Sequence, residues 1–140
     1  MIVQGEEIAK WVCEKAGNGW TPNHVGLAQV TDGEPVFGVV YSNYTKTSIN
    51  IGARCDSPKK VTGEIYFALF DYPFNQLKVK ALRAFICSNN HKSISLVTKL
   101  GFRKETVLED YFPEGDGIMF IMKPEYCKYL KYGAKYAKVC

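Results

Sequence analysis

Residues 82–102, LRAFICSNNHKSISLVTKLGF, constrain the chain more than any other stretch. Leu82 to Cys87 alternate and are rich in strand-forming side chains. Ser88-Asn89-Asn90 interrupt them, and Ile94, Val97 and Leu100 resume the apolar pattern at helical spacing before Gly101. A strand, a tight turn, a short capped helix and a glycine stop follow from that order. Asn89 or Asn90 can accept the unpaired N–H groups of the first helical turn, and Gly101 can take the left-handed conformation that ends the helix. A strand entering a helix N-terminus is also where α/β proteins place ligands, because free N–H groups and the positive end of the dipole point outward there.

The rest of the chain supplies partners for this unit. Residues 4–16 read as a helix, with Ile8, Trp11, Val12 and Lys15 at helical spacing and Glu6-Glu7 in the first turn. Residues 25–31 and 36–43 flank Asp32-Gly33 as a β-hairpin, and residues 47–55 add a third antiparallel strand. Residues 61–77 read as a large buried helix with Ile65, Leu69, Phe70 and Phe74 on one face and Pro73 kinking or ending it. Residues 80–87 then lie parallel to the third strand, residues 102–111 and 117–122 close the sheet, and residues 112–116 connect that last pair. From residue 123 onward a helical tail carries Tyr126, Tyr129, Tyr132 and Tyr136 beside Lys128, Lys131, Lys135 and Lys138. The expectation is one α/β (α+β) domain over residues 1–140, a mixed, twisted sheet of about six to seven strands flanked by helices, with a basic tail at 123–140.

With 140 residues, 46% of them hydrophobic, there is material for one core. Runs such as residues 65–70 fall far short of the roughly 20 residues a membrane span needs, and residues 1–10 lack a basic and apolar leader, so a cytoplasmic protein is expected. Cys13, Cys55, Cys87, Cys127 and Cys140 are scattered without a C-x-x-C pair, which favours reduced thiols, and with only His24 and His91 beside them no metal centre is expected. Residues 123–140 hold five lysines against Glu125 and carry the whole net charge of +4. Tyrosines interleaved with lysines can stack bases and neutralise phosphates; the other reading is a solvated helix face whose first tyrosines pack on the domain.

Asn90, Ser93, Ile94, Leu96, Lys99, Leu100, Gly101 and Phe102 resemble, at matching offsets, the "N…A/S-I-x-L-x-x-K-L-G-F" segment of the GNAT superfamily of acyl-CoA-dependent N-acyltransferases. Phe70, Phe74, Gln76 and Leu77 before it, and Glu105, Leu108, Glu109 and Asp110 after it, look like the flanks in ribosomal-protein and small-molecule N-acetyltransferases. Residues 37–130 are similar, in order of elements, to small GNAT-like proteins of tailed bacteriophages. The resemblance implies a GNAT-like fold, acetyl-CoA or another acyl-CoA as co-substrate and transfer to an amine. It also implies that the third strand splays from its neighbour to receive the pantetheine arm, with Trp20 and His24 near the acceptor pocket.

The family's Q/R-x-x-G-x-G/A loop, which cradles the CoA diphosphate, is replaced by residues 56–64, DSPKKVTGE, with one glycine. Lys59 and Lys60 as point charges, with Ser57, Thr62, Gly63 and the first helical N–H groups as donors, compose a modified phosphate site; the alternative makes Ser57 or Thr62 a helix cap and leaves the lysines solvated. Asn90 is the expected partner of the cofactor arm, or else only a cap. The tyrosine acid of the family falls at Val97, which cannot donate a proton, so Ser93 or a water takes that role, or the thiolate leaves unassisted. Asp56 and Glu64 are the candidate bases, and Tyr41, Asn43 and Tyr44 the candidate acceptor-binding residues. Two other functions stay open: a GNAT-like phage protein that binds or modifies DNA, and a non-catalytic binder of a host protein. A second copy of the chain is a further candidate partner.

Overall fold

A computed structural model describes residues 1–16 and 25–131. Seven strands form one sheet: β1 (Ile2–Gln4), β2 (Val25–Thr31), β3 (Glu34–Ser42), β4 (Ser48–Cys55), β5 (Ala81–Cys87), β6 (Arg103–Phe112) and β7 (Gly115–Met122). Their spatial order is β1-β2-β3-β4-β5-β7-β6. The helices are α1 (Glu6–Ala16), α2 (Gly63–Asp71), α3 (His91–Leu100) and α4 (Lys128–Lys131). Among the described strands only β4 and β5 pair in parallel; every other neighbour is antiparallel.

The expected elements form, with three departures. Residues 2–4 make an edge strand on β2, so the helix expected from residue 4 starts after Gly5 as α1. The span 61–77 is divided into α2 and a π-helical turn, Tyr72–Gln76, with a 3-10 turn, Pro58–Lys60, ahead of it. The β6–β7 connection shrinks to Pro113-Glu114, because both strands extend toward it. The tail opens with a 3-10 turn, Pro124–Tyr126, and α4. Tyr126 and Tyr129 pack on the domain, Tyr126 beneath the Arg103 guanidinium at 3.6 Å and Tyr129 against Phe70. Tyr132, Lys135, Tyr136 and Lys138 lie outside the described residues, as do Trp20 and His24.

Alternation along β3 divides the protein into two layers. Gly38 and Val40 face α1, where an added Cβ on Gly38 would come within 3.0 Å of Trp11 and Val12. Phe37, Val39 and Tyr41 face the other way, into the main core with Ile65, Leu69 and Phe70 of α2, Val97 and Leu100 of α3, and Leu82 and Met122 of the sheet. Phe70 anchors that core, stacking with Phe74 and Tyr129 and tilting against Phe102.

The break in the long helix has a local cause. Pro73 has no N–H and its ring crowds the carbonyl four residues earlier, which is that of Leu69. The chain widens into the π turn, with the Leu77 N–H reaching the Tyr72 carbonyl at 3.0 Å. The Leu69 carbonyl takes its hydrogen bond from the hydroxyl of Tyr41, at 2.5 Å. Burial, with the nearby Tyr72 and Asp71 charges adding to it, pushes the Tyr41 pKa well above the usual phenol range, so this hydroxyl donates at any ordinary pH. Tyr41→Phe should cost about 1–3 kcal/mol, the penalty for a buried carbonyl left without a partner, read from the midpoint of urea unfolding.

Candidate active site

β4 and β5 share three register pairs, Ser48–Ala81, Ile49–Leu82 and Asn50–Arg83. Beyond Asn50, β4 stays with β3 through Cys55 while β5 stays with β7 through Cys87. The sheet therefore opens between residues 51–55 and 84–87, and the facing backbone edges have no ladder between them. Arg83 occupies the vertex. Its Nη1 donates to Ser48 Oγ on β4 at 2.8 Å, while Nε and Nη2 grip Glu105 of β6 at 2.7 and 2.9 Å. A register shift of β6 against β7 between Lys104 and Thr106 accompanies Glu105.

Two helices begin at the open ends of the two parting strands. After β4 the N–H groups of Asp56 and Ser57 donate to the Val36 carbonyl at 3.0 and 3.2 Å. Pro58–Lys60 then turns, and Thr62 stands before the first residue of α2 with no side-chain cap. After β5 the Asn90 side chain caps α3 by accepting from the Ser93 N–H at 3.2 Å, and Gly101, at φ 105°, ends that helix. Both helices thus start beyond the carboxyl ends of the parting strands, where the positive ends of their dipoles and the first-turn N–H groups left by the Asn90 cap lie.

The fold thus brings Ser57, Lys59, Lys60, Thr62, Gly63 and Glu64 to one side of the opening and Asn90 and Ser93 to the other. Lys59 and Lys60 are exposed; Glu64 and Ser93 are half-buried. Asp56 is committed elsewhere, in a two-pronged ion pair with Arg54 at 3.0 and 2.9 Å, and Arg54 is itself held by the Trp11 carbonyl and ring. A carboxylate so paired is a poor base. Thr62, itself exposed, is engaged as well: its N–H and hydroxyl both donate to Gln29 Oε1, at 2.9 and 3.3 Å. Val97, at the position where the family resemblance expects tyrosine, is buried in the core.

The acceptor-binding trio does not gather at this opening. Tyr41 is 1% exposed and serves the core. Asn43, in the left-handed region at φ 53°, and the exposed Tyr44 lie in the β3–β4 connection, which joins β4 at its closed end. Cys13, Cys55, Cys87 and Cys127 form no disulfide, and no cluster of three or more His, Cys, Asp or Glu side chains that could hold a metal occurs among the described residues. No described helix is long and apolar enough to cross a membrane. Sequence reading passed over Gln29 and Arg83, since a polar residue in an alternating strand reads as its solvent face.

No protein-family model and no curated protein sequence matches the chain. Solved structures do. A GNAT-family acetyltransferase from Bacillus anthracis superposes with a TM-score of 0.61 at 19% identity, over 74% of this chain and 67% of that one. The N-acetyltransferase PseH from Campylobacter jejuni, solved with acetyl coenzyme A, gives 0.57 at 24% identity over 74% and 70%. A point mutant of the spermidine N-acetyltransferase SpeG from Vibrio cholerae gives 0.64 at 17% identity over 78% and 69%. The fold is that of the GNAT acetyltransferases. Within this GNAT fold, the vertex at Arg83 is measurable by its acid response. The hydrogen bonds from Arg83, and then its charge, hold the Glu105 carboxyl below its ordinary range. A carboxyl depressed in the folded state stabilises above its unfolded pKa and loses that contribution as pH falls through its folded value. The stability gap between wild type and Glu105→Gln should therefore be full above about pH 5 and vanish in stronger acid, measured by urea unfolding at several pH values.

Proposed function

We propose that the protein is an acyl-CoA-dependent N-acyltransferase, moving an acetyl group from acetyl-CoA to an amine of a protein or small molecule. The observation that carries this reading is the parting of β4 from β5 after Asn50, between two helix N-termini, in a GNAT fold. The unladdered edge of β4 can bond the amides of a pantetheine arm. Lys59, Lys60, the Ser57 hydroxyl and the first N–H groups of α2, from Gly63 onward, suit a diphosphate. Asn90 spends its oxygen on Ser93, so its side-chain NH2 is the group it offers the arm.

Bound acyl-CoA supplies a thioester. The amine nitrogen forms a bond to the carbonyl carbon, the carbon–sulfur bond breaks, and the proton lost by the amine balances the one gained by the thiolate. We assign the amine's proton to Glu64, in the first turn of α2. Ser93 and Val97 are four residues apart on α3, hence on one face of that helix. Ser93 therefore presents its hydroxyl one turn nearer the N-terminus than the valine does, and we assign it the hydrogen bond to the departing sulfur. The resemblance of residues 37–130 to phage proteins makes an infected cell's cytoplasm the setting we assign.

Titration calorimetry with acetyl-CoA and CoA tests the reading. Saturable binding near micromolar, about −8 kcal/mol, is expected, and Lys59→Ala/Lys60→Ala should weaken it about tenfold at low salt. No heat at millimolar ligand would sink the proposal and leave the fold a binding role. Once an acceptor amine is found, Ser93→Ala should lower kcat about tenfold with little change in KM, the worth of one hydrogen bond to a charged group.

A further inference from the structure

Gln29 is 3% exposed, the single amide or charged side chain so buried among the described residues. It sits on β2 where the register with β3 shifts between Gln29 and Val30. Its amide meets two backbone groups of opposite kind across the junction between the 3-10 turn and α2. Nε2 donates to the Lys60 carbonyl at 2.7 Å, and Oε1 accepts from the Thr62 N–H at 2.9 Å. Nε2 also donates to Thr31 Oγ1 at 3.1 Å, and Thr62 Oγ1 donates to Oε1 at 3.3 Å. One amide orientation alone satisfies both backbone groups. A carboxylate there could not donate, and a hydrocarbon could do neither.

The segment so pinned is the one where the chain lacks a glycine-rich loop. Glycines shape such loops by taking positive φ. None of residues 56–64 does so here: the residues with positive φ among those described all lie elsewhere, and Ser57 and Thr62 have φ of −138° and −108°. We infer that Gln29 is the positioning residue of the diphosphate-facing segment, a side-chain staple standing where other phosphate loops use glycine. By occupying the Thr62 N–H and hydroxyl, it leaves the first-turn N–H groups of α2 and the Lys59-Lys60 pair to face the ligand. The inference rests on the acyl-CoA reading above.

Calorimetric titration with CoA and with pantetheine, which lacks the diphosphate, separates the two ideas. Wild type, Gln29→Met and Gln29→Glu are compared, with Thr62 amide exchange followed by NMR in each. Gln29→Met should weaken CoA about tenfold or more while pantetheine affinity holds, and the Thr62 amide should lose its protection. Gln29→Glu should weaken CoA likewise, because its carboxylate faces the Lys60 carbonyl, while the Thr62 amide, which a carboxylate can still accept, keeps its protection. Should both variants fail to fold, Thr31→Val, which removes only the second partner of Nε2, must weaken CoA selectively by a few fold. Unchanged CoA affinity, or an equal loss for CoA and pantetheine, overturns the positioning role. Absence of CoA binding by the wild type overturns the acyl-CoA reading itself, and an unprotected Thr62 amide in wild type overturns the staple independently of any ligand.

Discussion

Everything at the candidate site depends on Arg83 holding the sheet together where it stops being a sheet. β4 and β5 are a parallel pair with three register positions between them, a short seam for two strands joined only by a long crossover. The guanidinium adds bonds across it, to Ser48 on one side and Glu105 on the other, and its planar fork suits both prongs of the carboxylate. Past that point each strand follows a different partner, and the separated edges keep N–H and C=O groups that require hydrogen bonds from something. A ligand carrying its own amides fits that requirement, and an apolar one does not.

What was legible in the sequence was what neighbours decide. Asp32-Gly33 takes positive φ at both residues and closes the β2–β3 hairpin as its composition implies, and Asn90 and Gly101 bound α3 as the helix grammar requires. The mixed sheet, apart from its edge strand β1, follows from the order of those elements. The roles of individual polar residues did not follow, because distant partners set them. Tyr41 at a strand end reads as an acceptor-binding candidate until Pro73, far along the chain, frees a carbonyl for it. Asp56 reads as an available carboxylate until Arg54, near the end of β4, grips it. The opening itself was implied by family likeness, since no spacing within β4 or β5 reveals where their pairing stops.

The exposed edge strand β6 illustrates how irregularity can be useful without being a site. Val107, Leu108 and Tyr111 are well exposed there, a pattern that invites strand addition. The strand breaks register with β7 on both sides of its centre, and Asp110, at φ 53°, gives its N–H to Asp116. Such shifts twist an edge away from a flat partner, and the first of them also brings Glu105 to Arg83. One deformation protects the edge and completes the vertex.

The two buried polar side chains Gln29 and Tyr41 do related work at opposite ends of α2. Gln29 engages the backbone just before the helix starts, and Tyr41 engages the carbonyl that Pro73 orphans where it ends. They come from neighbouring strands, β2 and β3, so the helix is pinned to the sheet at both ends by groups whose alternative is an unsatisfied buried dipole. A helix end acts on an anion only within about its first turn, so a small shift of α2 along its axis would forfeit most of that attraction. Two end-to-end fastenings fix that axial position, which apolar packing, being non-directional, does poorly.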